Sequence, residues 1–164
     1  MKKFWNETKD YIIIIIAVLL IRTFIMTPAL VEGSSMDNTL KDGQLVIINK
    51  YIYRFDDIKR FDIVVVNNKE ENDKIIKRVI GLPGEIIQYN DNKLFVNGKE
   101  IKTDFNIGRT GNFKIVCESD EYFVLGDNRE VSKDSRLLGN FNKDDIVGRV
   151  KYRLFPFSKF GKIE

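Results

Sequence analysis

No histidine occurs anywhere in the chain. That absence excludes a Ser-His-Asp triad, a Cys-His dyad and any His-ligated metal site. Cysteine occurs once, at Cys117, which excludes an internal disulfide and a Cys-cluster zinc site. Without a histidine to activate it Cys117 is a poor nucleophile. Its neighbours Phe113-Lys114-Ile115-Val116 read as a strand, so a buried structural thiol is expected. Hydrolytic chemistry is therefore left to carboxylates, lysine, hydroxyls and backbone groups. A strong charge excess is also missing: 27 Lys and Arg against 24 Asp and Glu give a net charge of +3. No dense basic block follows the first residues, so no nucleic-acid partner is expected. At 164 residues the chain can bury one sizeable core but not two full ones.

The longest apolar run is Tyr11 to Ile21, interrupted by Arg22 and Thr23 and continued by Phe24, Ile25 and Met26 up to Pro28. As a helix, Tyr11 to Met26 spans about 24 Å at roughly 1.5 Å per residue, short of a hydrocarbon core of about 30 Å. Arg22 lies near one end, where it can snorkel to the interface. A buried soluble helix would show a polar stripe, and five consecutive isoleucines leave no room for one. A cleaved leader would need a small-residue cleavage site, and Pro28-Ala29-Leu30-Val31 is a poor one. A single uncleaved transmembrane anchor over residues 11–27 accounts best for the run. Lys2, Lys3 and Lys9 precede it, whereas no Lys or Arg stands between Met26 and Lys41. Positive-inside logic puts residues 1–10 in the cytoplasm and residues 28–164 outside, as a single-pass protein of the cell membrane in contact with the lipid bilayer.

From Gln44 onward short apolar runs alternate with turn residues. Strands are predicted at Gln44–Asn49, Asp62–Asn67, Lys74–Ile80, Glu85–Tyr89, Lys93–Val96, Phe113–Glu118, Glu121–Leu125 and Ile146–Leu154. Tyr89-Asn90-Asp91-Asn92, then Val96-Asn97-Gly98-Lys99, mark consecutive hairpins. No long helical period follows the anchor. The expected fold is mostly β, a coiled antiparallel sheet or partly open barrel behind one N-terminal transmembrane helix.

Three segments place polar residues where a strand protein does not need them. The first is Val31-Glu32-Gly33-Ser34-Ser35-Met36-Asp37-Asn38-Thr39-Leu40. The second, Lys77-Arg78-Val79-Ile80-Gly81-Leu82-Pro83-Gly84-Glu85, sets a lysine in an apolar strand that ends in a Gly/Pro turn. The third is the polar loop Gly126-Asp127-Asn128-Arg129-Glu130-Val131-Ser132-Lys133-Asp134-Ser135-Arg136. Singly, these read as a turn leaving the membrane, an edge-strand lysine that blocks aggregation and a solvated loop held by Asp-Arg pairs.

Together, in this order and behind an anchor, they resemble bacterial type I signal peptidases. Ser35-Met36 with Thr39-Leu40 is similar to that family's nucleophile box. Lys77 to Glu85 is similar to its general-base box, and Gly126 to Arg129 with Ser132 and Asp134-Ser135-Arg136 to its third box. Arg60-Phe61-Asp62-Ile63-Val64-Val65 resembles an intervening strand. The likeness runs from Tyr11 to about Phe155 and is closest to the compact members. Asn38 stands where the family usually has proline, and Met36 assigns the nucleophile to Ser35 rather than Ser34.

The resemblance implies acyl transfer to Ser35 followed by hydrolysis. Lys77 would be the general base, its amine kept neutral by burial among Ile75, Ile76, Val79 and Ile80. It further implies that Ser132 orients the Lys77 amine and that the Ser35 N–H donates to the oxyanion. Gly33 occupies the position where some relatives carry a second, hydroxyl donor. Asp127, Asp134, Arg78 and Arg136 would form supporting ion pairs. Val31, Met36, Leu40, Ile75 and Ile76 would line shallow apolar pockets for the small residues that end a signal peptide. The implied partners are signal-peptide-bearing preproteins near the secretion translocon, and no metal or organic cofactor is required. Competing classes are the self-cleaving Ser/Lys repressors, which carry a DNA-binding domain in place of an apolar run, a maturation peptidase dedicated to one substrate, and a membrane-tethered β-domain that binds peptides without cutting them.

Overall fold

A computed structural model describes residues 2–20, 25–103 and 108–163. Helix α1 (Lys2–Leu20) carries the apolar run. From Tyr11 to Leu19 its side chains are exposed on every side. Among the described residues no helix is long and apolar enough to cross a membrane. Ile21, Arg22, Thr23 and Phe24 of the expected anchor lie outside the described residues. Met26 and Thr27, placed in the anchor on sequence, belong instead to strand β1 (Met26–Leu30). There, backbone pairing with β2 (Leu45–Asn49), in a register running from Met26 opposite Asn49 to Leu30 opposite Leu45, replaces helical hydrogen bonds. Pro28 is tolerated because β1 is an edge strand.

All eight predicted strands form. Besides β2 they are β3 (Ile63–Asn68), β4 (Asp73–Gly81), β5 (Ile86–Asn90), β6 (Lys93–Val96), β8 (Phe113–Val116), β9 (Glu121–Leu125) and β11 (Ile146–Phe155). Three short strands, β7 (Lys99–Ile101), β10 (Phe141–Asn142) and β12 (Gly161–Lys162), and the one-turn helix α2 (Ser135–Leu138) complete the chain. The expectation of a mostly β, antiparallel fold holds. The strands divide into two sheets. The larger has the order β1-β2-β11-β3-β4-β9-β10, with β12 on β11, and its outermost strands do not pair with each other. The smaller is the meander β7-β6-β5-β8. Both predicted hairpins are present, with positive φ at Asp91, Asn92, Asn97 and Gly98 at their turns.

Strand alternation sets the core. In β3, Ile63 and Val65 point into one apolar cluster, with Val31, Met36, Leu40, Val46 and Val150. Val64 and Val66 point into a second on the opposite face, with Val79, Val124 and Phe141. β3 is thus buried on both faces and reads as a continuous apolar run. The smaller sheet packs a third cluster of Ile87, Tyr89, Leu94 and Phe123 around Cys117. Gly81 sits at the junction. A methyl there would come within 2.7 Å of Ile87 and 2.8 Å of Cys117 Sγ, so only glycine lets the two sheets close on each other. Cys117 is a buried free thiol, as expected, and burial pushes it up to about 11.

Candidate active site

The segment after β1 turns back on itself. Leu40 N–H and Thr39 N–H both donate to Met36 O, at 2.6 and 2.8 Å. The turn presents Ser35 half-buried at its apex. From the other side β4 delivers Lys77, opposite Val64 in the β3–β4 register. Lys77 is 2% exposed. Its Nζ lies 2.9 Å from Ser35 Oγ and donates to Ile76 O at 3.0 Å. Burial pulls its pKa down to about 8, against the smaller opposing pull of Asp134, Asp73 and Asp127. A buried ammonium without a contacting carboxylate is disfavoured, and the neutral amine can accept a proton. No hydrogen bond occupies the Ser35 N–H among the described residues, while Gly33 N–H is engaged by Asp42 Oδ1 at 2.7 Å.

The polar loop after β9 clamps the turn. Asn128 N–H donates to Ser35 O at 3.0 Å and its side-chain amide to Ser34 O at 3.1 Å. Asp127 is fully buried and receives Arg78 in a two-pronged pair, Nε to Oδ1 at 2.9 Å and Nη2 to Oδ2 at 2.7 Å. Thr39 Oγ1 donates to the same carboxylate at 2.5 Å. Asn38 Nδ2 donates to Asp127 O at 3.1 Å, a tertiary tether in place of the stiffness proline would bring. Arg136 pairs with buried Asp134, Nε to Oδ1 at 2.8 Å and Nη2 to Oδ2 at 2.9 Å, while Asp134 also accepts from Gly126 N–H at 3.0 Å. The Arg78–Asp127 and Arg136–Asp134 pairs are thus both present.

Ser132 is buried, but among the described residues its hydroxyl has no hydrogen-bond partner and does not reach Lys77 through one. It is pressed against Gly126: a methyl on Gly126 would fall 2.1 Å from Ser132 Oγ and 2.6 Å from Ser35 O. Gly126 therefore sets how closely the third segment approaches the nucleophile turn.

Two open clefts meet at Ser35 and Lys77. One, of about 200 Å³, is lined by Leu30, Val31, Met36, Ile75 and Ile76 together with the charged Glu32, Asp73 and Lys74. The other, of about 270 Å³, is lined by Glu71, Asp73, Ile75, Val131, Lys133 and Leu138. Four of the five residues expected to form apolar pockets do border the first. Leu40 does not: the turn carries it inward, where it is 0% exposed beneath Met36 in the core. Asn128 and Gly126 escaped notice as site residues, although both stand in the third motif; their role depends on which backbone they meet. Glu71, Asp73 and Lys133 gave no sequence signal beyond ordinary surface charge.

The profile of the family described as signal peptidase, peptidase S26, matches residues 5–155. A signal peptidase I P from Bacillus subtilis subsp. natto is 42% identical, the match covering 94% of this chain and 90% of that protein. A signal peptidase IB from Staphylococcus aureus is 39% identical, covering 88% and 86%. Among solved structures, a signal peptidase I from Enterococcus faecalis superposes with a TM-score of 0.52 at 30% identity, over 57% of this chain and 97% of that one. A half-open β fold with a serine beside a buried lysine is a hydrolase architecture. The chain belongs to the signal peptidase family, peptidase S26.

Proposed function

We propose that this protein is a serine endopeptidase that removes signal peptides from secreted preproteins, with Ser35 as nucleophile and Lys77 as general base. The observation that carries the assignment of roles is the 2.9 Å contact between Ser35 Oγ and a lysine amine that burial draws down to about 8. A serine hydroxyl is a weak nucleophile until a base accepts its proton. Here the neutral amine takes it as Oγ attacks the scissile carbonyl. The Ile76 carbonyl holds one amine N–H and so helps aim the lone pair. The Ser35 N–H, which has no hydrogen-bond partner among the described residues, donates to the developing oxyanion. Lys77 then passes its proton to the leaving amine and activates the water that hydrolyses the acyl-enzyme. Ser132 packs against Gly126 in the loop that clamps the nucleophile turn, and the Arg78–Asp127 and Arg136–Asp134 pairs hold that loop.

The substrate binds as an added strand. Among the described residues β2 is the one strand neighbour of β1, and β4 pairs with β9 only from Arg78 onward, so that Asp73–Lys77 have no strand neighbour on the side away from β3. Leu30 at the end of β1 and Asp73–Lys77 of β4 border the first cleft, so an extended peptide can hydrogen-bond along them. Val31, Met36, Ile75 and Ile76 leave shallow space that suits small side chains before the cut.

The protein works at the outer surface of the cell membrane, where preproteins emerge from the secretion translocon, held by an anchor that starts at Tyr11 and ends before β1, with its N-terminus in the cytoplasm. Two features support this reading. Apolar side chains surround α1 from Tyr11 to Leu19 without a polar stripe. The outer face of the sheet that follows is also apolar: strand register lines up Leu30, Leu45 and Phe155 in one row and Pro28, Ile47 and Tyr152 in the next. Such a face, continuous in sequence with the anchor, suits a lipid surface better than water.

The test is cleavage of a preprotein by purified full-length protein in detergent. Wild type is expected to cut, and Ser35→Ala and Lys77→Ala to be inactive; equal cleavage by all three would end the dyad.

A further inference from the structure

The second cleft at the dyad is bounded by an ion pair, whereas the first combines apolar side chains with Glu32, Asp73 and Lys74. Lys133 Nζ lies 2.6 Å from Glu71 Oε1, and Asn68 Nδ2 steadies Glu71 Oε2 at 3.2 Å. The pair joins the turn between β3 and β4 to the loop that carries Ser132. Contact with the opposite charge holds the Glu71 carboxyl below, and the Lys133 amine above, their ordinary ranges. Asp73, the first residue of β4, stands between the two clefts and lines both. With Lys77 neutral, two carboxylates face one ammonium, so the cleft is net negative.

From this juxtaposition we infer that the Glu71–Lys133–Asp73 cleft receives the first residues after the scissile bond and sets a charge preference there. The inference rests on the peptidase reading given above. A peptide whose small side chains fill the first cleft must continue past Ser35 on the other side. Of the two clefts that contain both Ser35 and Lys77, the one bounded by Glu71 and Lys133 is what remains. The proton that Lys77 passes on leaves the departing group as a neutral amine, which takes a second proton only from solvent, and a net negative wall favours that later ammonium. An acidic residue next to it would meet Glu71 and Asp73, whereas a basic or neutral one would not. Because Glu71 and Lys133 are about half exposed, solvent screens the effect.

The experiment measures kcat/KM for a preprotein with Asp, Asn or Lys at the first two positions after the cut, and with Ala or Ser before it. Full-length wild type, Glu71→Gln and Lys133→Gln are compared. Wild type is expected to favour Lys over Asp by about threefold at low salt, the ratio shrinking as salt rises. Glu71→Gln should narrow that ratio and Lys133→Gln should widen it, with the Ala/Ser ratio unmoved in both. A Lys/Asp ratio equal in all three proteins overturns the inference, as does a uniform loss on every substrate, which would mark a merely structural pair. Failure of wild type to cut any preprotein is a different result and defeats the peptidase reading itself.

Discussion

Lys77 is the residue on which chemistry and stability conflict. Its folded pKa of about 8 is depressed from an ordinary lysine value near 10.4, a cost of about 3 kcal/mol wherever both states are charged. A depressed lysine is a destabilising group at neutral pH. The unfolded chain binds the extra proton between about pH 8 and pH 10.4, so stability rises with pH through that window. Replacing the amine by an apolar side chain of similar length removes the cost. Lys77→Met is therefore expected to abolish cleavage and yet to be about 2 kcal/mol more stable at pH 7 in urea unfolding. The advantage should shrink as pH climbs from 8 to 10.4. A variant less stable than wild type at pH 7 would mean that the amine is not under strain. Gly126 is constrained by space instead. Gly126→Ala would drive a methyl to within 2.1 Å of Ser132 Oγ and 2.6 Å of Ser35 O, so the loop must shift. A loss of about 100-fold in kcat with a smaller change in KM is expected, since a small misplacement of the nucleophile disrupts the reacting geometry.

Among the elements, β4 and the loop after β9 carry the site between them. Arg78 stands next to Lys77 in β4, but alternation sends its side chain to the opposite face, where it meets Asp127, Thr39 and the Phe61 carbonyl. One guanidinium thus ties the base strand, the nucleophile turn and the loop together. Arg78→Met leaves a buried carboxylate unpaired and is expected to cost about 3–5 kcal/mol, on the order of 10 °C in Tm by calorimetry. An unchanged Tm would refute that role. The strands of this region were legible in the sequence because β3 and β4 are apolar over their length and bounded by turn residues. β1 was not, because Met26 and Thr27 prolong the apolar run of the anchor and Pro28 reads as a stop; only pairing with β2 makes them a strand. The dyad was legible because its two residues stand in long local motifs. The Asn128 clamp, the inward turn of Leu40 and the Glu71–Lys133 pair were not. Each joins positions far apart in the chain or depends on which way a turn faces, and local sequence carries no record of either.

For the whole molecule, the path β1-β2-β11 leaves only β2 between the long strand β11 and β1, the segment that follows the anchor. Phe155, Phe157 and Phe160 are exposed at that end, close to the row formed by Leu30 and Leu45. If the face rests on lipid, its removal should matter only where lipid is present. Tyr152→Ser with Phe155→Ser is expected to slow preprotein cleavage several-fold in vesicles while leaving a short peptide substrate in detergent unaffected. Equal losses in both settings would point to damaged folding rather than lost membrane contact. Protease added outside intact cells should reach the β domain, and full protection would reverse the orientation.

The pH dependence of kcat/KM for a peptide substrate bears most directly on whether an uncharged amine activates Ser35. Only the deprotonated fraction of Lys77 can accept the hydroxyl proton, so the rate should rise with pH along an acid limb whose midpoint lies near 8. A profile flat from pH 6 to 10, or a limb centred near the ordinary lysine value of about 10.4, would contradict the assignment of Lys77 as the base.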